Sequence, residues 1–115
     1  MIPEEKIVNL LLELGIRPVL VGFREIVFAL ELVLKDWNAL DRITKEIYPG
    51  VAKRMGKTAS QVERGIRTAV TSMFDHQDCE RIVQILGMVP NMYKGKYTNT
   101  EFLALCAMKL RGMQL

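Results

Sequence analysis

The sequence has a single histidine and two cysteines, and this scarcity is the first limit on its chemistry. His76 lies in an acidic DHQD segment, and a nucleophile–base pair would need it beside Cys79 or Cys106. His76-x-x-Cys79 has the form of half a metal site, but no third or fourth ligand of the right type stands near it in sequence. The residues read more simply as a surface histidine at a helix end and two buried thiols, so neither an enzyme nor a cofactor is expected. Glycine and proline are also few, and no low-complexity segment or solenoid-length repeat appears. Aromatic residues are sparse, while Leu, Ile, Val, Ala and Met dominate, which favours packed helices over a β-sandwich. No apolar run reaches the roughly 18 residues of a membrane span. The longest, IVFALELVL, is interrupted or bordered by Glu25, Glu31 and Lys35. The opening MIPEEK is acidic where a secretory signal is basic. The expectation is a cytoplasmic protein with reduced thiols.

Half of the 115 residues are apolar, enough for one modest core, so 1–115 reads as a single domain. The net charge of +3 is small, but it is unevenly distributed. Residues 1–41 carry −3, 42–67 carry +5, 68–80 carry −3 and 81–115 carry +4. A local basic block can steer a polyanion even when the whole chain is near neutral.

The apolar spacing predicts an all-α bundle of six or seven helices. Residues 3–14 open on Pro3, Glu4 and Glu5, repeat Ile7, Leu10, Leu11 and Leu14, and stop at Gly15. Residues 16–22 read as a connector with extended character, and 23–36 as a central helix, apolar nearly all round. Residues 38–47 form an amphipathic piece with Asn38 as its cap, and Pro49 starts the short helix YPGVAKRM, which Gly56 ends. Thr58-x-x-Gln61 is a capping box, followed by a stripe of Val62, Ile66, Ala69, Val70 and Met73. A shorter helix, 79–86, ends at Gly87. Thr98-x-x-Glu101 opens the last one, with Phe102, Leu105, Cys106 and Leu110 inward.

Residues 48–74 suit a helix-turn-helix. Ala52, Met55 and Gly56 supply the first helix and turn, and Val62 and Ile66 the inner face of the second. Two residues depart from the pattern: Lys57 stands where an apolar residue is commonest, and Gly65 is a helix-interior glycine that implies a close packing neighbour. With Val62 and Ile66 inward, Ser60, Gln61, Glu63, Arg64, Arg67 and Thr68 point outward. Arg64 or Arg67 can grip guanine O6 and N7, and Glu63 can accept from cytosine N4. Lys53, Arg54 and Lys57 suit phosphates, as do Lys94 and Lys96 of the YKGKY loop. The plainer reading of the same helix is a solvated face carrying a Glu63–Arg67 ion pair, and the two are compatible.

ITKEIYPGVAKRMGKTASQVERGIRTA resembles the core of the C-terminal effector domain of the sporulation stage-zero response regulators, with VERGIR its most specific part. LGIRPVLVGF and YTNTEFLALCAMKLR resemble further segments of that domain, so the likeness covers nearly the whole chain. It implies an all-helical, double-stranded-DNA-binding transcription regulator that reads a short asymmetric box, often as a homodimer on tandem sites. Glu63, Arg64 and Arg67 would then touch bases, and Thr58, Ser60 and Gln61 the backbone. It also implies that residues 79–86 face the RNA polymerase sigma subunit. Gln61 stands where the family usually has Arg, Gly65 replaces Ala, Thr68 replaces His and Val21 replaces a Lys. Arg81 and Val83 replace small hydroxylated residues. The family's phosphoacceptor receiver has no counterpart in these residues, which fits an excised effector domain and a stand-alone relative equally. The competing expectation is a helical interaction module that binds a full-length relative or polymerase without productive DNA reading.

Overall fold

Pro3, Glu4 and Glu5 begin helix α1 (Glu4–Glu13), where two carboxylates favour the positive end of the helix dipole. In the computed structural model, which describes residues 2–91 and 93–112, this helix buries Ile7, Leu10 and Leu11. It ends at Gly15 (φ 86°), whose N–H reaches the Leu12 carbonyl while the Ile16 N–H reaches that of Leu11, both at 3.0 Å. That paired closure is the Schellman arrangement, which needs a left-handed residue and so favours glycine.

Five more α-helices follow among the described residues: α2 (Val21–Lys35), α3 (Tyr48–Met55), α4 (Ala59–His76), α5 (Cys79–Leu86) and α6 (Asn99–Leu110). No strand occurs among the described residues, and the molecule is all-α as the apolar periodicity implied. Helix α2 is the central element, with α1, α3, α4 and α6 packed on it. Its buried set, from Gly22 to Val33, covers several faces because it has neighbours on several sides. Helix α5 packs against α6, burying Ile82, Ile85 and Leu86.

Three local expectations are corrected. The connector 16–22 is shorter than its composition suggests, because α2 already begins at Val21. Residues 38–47 are not one amphipathic helix. They split into a 3-10 segment (Trp37–Arg42) and a π-helical turn (Ile43–Ile47) that leads directly into α3. Asn38 does not cap them; the Asp36 side chain does, accepting from the Asn38 N–H at 3.0 Å. Asn38 is the donor here because Asp36 is the residue in extended conformation just before the turn.

The capping box at Thr58 is formed as expected. Thr58 Oγ1 accepts from the Gln61 N–H at 3.1 Å, and Gln61 Oε1 accepts from the Thr58 N–H at 2.9 Å. Thr98 and Glu101 repeat the arrangement at the start of α6, at 3.1 and 2.8 Å. Between α3 and α4 the chain turns at Gly56 (φ 67°), and the Lys57 N–H closes onto the Ala52 carbonyl at 3.0 Å. A Thr58→Ala variant should lose about 1 kcal/mol, the typical cost of a lost N-cap. Denaturant melts should show a lower midpoint with an unchanged slope; an unchanged midpoint would mean the cap adds nothing to stability.

Candidate nucleic-acid interface

Helix α4 divides cleanly by exposure. Val62, Ile66, Ala69, Val70 and Met73 are buried, so the opposite side must face solvent. Ser60, Gln61, Arg64, Arg67 and Thr68 are exposed there, with Glu63 half-buried at the margin. Arg67 Nη1 donates to Glu63 Oε1 at 2.7 Å, an i,i+4 pair as the spacing implied. Such a pair adds only about 0.3–0.5 kcal/mol to a helix. It biases the Arg67 guanidinium toward Glu63. Arg64 has no ion-pair partner among the described residues. It forms the crest between two depressions. One, of about 420 Å³, is lined by Thr44, Tyr48, Ala59, Ser60 and Glu63. The other, of about 340 Å³, is bounded by Leu20, Val21, Gln61 and Thr68.

The basic residues expected near this helix divide into two kinds. Lys53 and Lys94 are exposed. Arg54 is committed elsewhere: its guanidinium lies 3.6 Å over the Phe28 ring and pairs with Glu31 at 3.0 Å. Lys57 departs most from expectation. Instead of facing outward it donates from Nζ to Glu25 Oε2 at 3.1 Å. Glu25 is fully buried in α2, the one buried charged side chain among the described residues. Burial pushes its carboxyl above the ordinary carboxylate value, while the hydrogen bond and charge of Lys57 pull it back. Its other oxygen, Oε1, has no hydrogen-bond partner.

The YKGKY loop lies beside α4. Lys96 Nζ donates to Thr71 Oγ1 of that helix at 2.9 Å. A depression of about 300 Å³ joins Lys94 and Lys96 to Tyr48, Glu63 and Arg67. The two tyrosines of the motif part company: Tyr93 is fully exposed, whereas Tyr97 is buried edge-on to Phe74, its hydroxyl donating to the Met88 carbonyl.

Asn99 draws these parts together, and nothing in its local sequence signals this. Its Nδ2 donates to Tyr48 Oη at 3.0 Å and to the Glu63 carbonyl at 3.1 Å, tying the starts of α3 and α6 to the second turn of α4. Glu25 was equally hard to foresee as part of this region. The only hints lay in the two neighbours it explains, Lys57 and Gly65.

The nucleophile and metal candidates do not come together. Cys106 is buried, and burial pushes its thiol far up, away from thiolate formation. Cys79 is exposed, not buried as expected, because the first turn of α5 lies outside the core. His76 Nδ1 lies 2.9 Å from the Ser72 carbonyl one turn back in its own helix. No cluster of three His, Cys, Asp or Glu side chains is placed for a metal among the described residues. No helix among them is long and apolar enough to cross a membrane.

A family model described as the sporulation initiation factor Spo0A C terminal matches residues 7–110. The matched span runs from the first buried residue of α1 to the last residue of α6.

Proposed function

We propose that this chain, which belongs to the C-terminal DNA-binding effector family of the sporulation initiation factor, reads a short asymmetric box in the major groove. Helices α3 and α4, joined by the turn at Gly56, act as a helix-turn-helix with α4 as the reading helix. The observation that carries this reading is the outward ridge of α4, where Arg64 has no ion-pair partner among the described residues and Arg67 pairs with Glu63.

Arg64 and Arg67 have the donor geometry for guanine O6 and N7. Glu63 either accepts from cytosine N4 or serves by orienting Arg67. Lys53 and Lys94 take phosphates, with Thr58 and Ser60 at the start of the helix and Gln61 and Thr68 beside the bases. Lys96, anchored on Thr71, steadies the loop that carries Lys94. The exposed side of α5, including Arg81 and Gln84, is the surface left for the polymerase sigma subunit, and tandem boxes would place two copies side by side.

Selection of bound duplexes from a random pool, followed by anisotropy titrations across salt, tests the assignment. A recurrent box should emerge, and log affinity should fall with log salt by about 0.9 for each phosphate neutralised. A flat salt dependence with no enriched box would sink DNA reading and favour the interaction-module alternative.

A further inference from the structure

Lys57 and Gly65 look unrelated in sequence, yet both meet Glu25. Gly65 lies on the α4 surface that packs against α2, and a Cβ built there would overlap Glu25 Oε1 and lie 2.9 Å from Glu25 Cδ. The carboxylate therefore occupies the space that any larger residue at 65 would fill. Its far oxygen takes the Lys57 ammonium at 3.1 Å, with the lysine side chain 22% exposed and that of Glu25 fully buried. Lys57 sits immediately before the cap of the reading helix, where a cation would face a phosphate. The buried acid turns that cation inward.

We propose that Glu25 is a positioning residue for DNA reading: seated on Gly65 and paired with Lys57, it sets how α4 lies on α2 and withholds one positive charge from the phosphate backbone. This rests on α4 being the reading helix. The pair adds little net stability as a pair, since desolvation offsets much of its attraction, although removing one partner alone leaves the other buried and uncompensated. Its effect is geometric and electrostatic. It links Lys57 in the turn before α4, the second turn of α4 and the second turn of α2 through one side chain, and it lowers the count of cations available to DNA by one.

Salt-dependent anisotropy on the unaltered chain, Lys57→Gln, Glu25→Gln and the double variant separates the possibilities. Lys57→Gln should leave the log–log slope unchanged. Glu25→Gln should steepen it by about 0.9, the release of one further counterion, and the double variant should return to the original slope. A slope flattened by about 0.9 in Lys57→Gln, with Glu25→Gln unchanged, would overturn the inference while leaving DNA reading intact. No salt-dependent binding by the unaltered chain would instead remove DNA reading itself. Melting curves examine the seat without DNA. Gly65→Ala should lower the melting temperature in the unaltered chain and raise it in a Glu25→Ala background. A Gly65→Ala chain that melts no lower than its parent would show that the carboxylate does not occupy that space.

Discussion

Adding one methyl group at position 22 should destabilise this protein by about 3 kcal/mol, the upper part of the range for overpacking a core. Gly22 is buried in the first turn of α2, where that helix meets α4. A Cβ there would run into the backbone carbonyl oxygen of Gly65 and lie 2.8 Å from the Ala69 Cβ. Neither neighbour can rotate aside: one is main chain inside a helix, the other is a methyl fixed to it. The helices would have to separate, and the apolar contacts behind Gly22, including those of Ile26 and Ala29, would loosen with them. For a domain of this size the loss should appear as a fall of about 10–15 °C in Tm by circular dichroism. An alanine variant melting within a degree or two of the parent would mean that the α2–α4 approach is not tight at this point.

The second large effect concerns recognition. Arg64→Ala should abolish discrimination at one base pair, worth about 1–3 kcal/mol or up to some hundredfold in relative affinity. Arg64 is singled out because Arg67 already pairs with Glu63 at 2.7 Å, whereas Arg64 has no ion-pair partner among the described residues and lies between the two depressions beside α4. Arg64→Lys is the informative companion. It retains the charge, so the salt slope should hold, but it lacks the planar fork for bidentate guanine contact, so discrimination should still fall. Anisotropy titrations against duplexes altered one base pair at a time would measure both. A preference profile unchanged in both variants would remove Arg64 from the reading set, whatever the overall affinity did.

Much of the fold was legible because its signals are local. Thr58 and Gln61 are three residues apart, and their capping box needs nothing beyond its own turn. Val62, Ile66, Ala69, Val70 and Met73 share one helix face by periodicity alone, and burying that face exposes Arg64 and Arg67. Residues 37–47 were harder: a 3-10 segment followed by a π turn has neither a constant period nor a single cap, so its spacing resembles one short α-helix. Cys79 departs from its expected burial for a similar reason. An apolar-looking residue at the start of α5 lies outside the stripe of Ile82, Ile85 and Leu86 that faces the core.

The amino-acid sequence by itself determined the all-helical class, the start of helix α4 at its Thr58 cap and the outward placement of Arg64 and Arg67, because caps and helical periodicity act over a few residues. Its VERGIR segment carried the family resemblance, which the match over residues 7–110 bears out. Only the tertiary structure decided which of the basic residues stay available. Arg54 is taken by Phe28 and Glu31, Lys57 by Glu25, and Lys96 by Thr71, each partner 23 or more residues away in the chain. A charge is countable in a sequence, but whether it is already paired depends on which distant side chain the packing of helices brings within 3 Å or so of it.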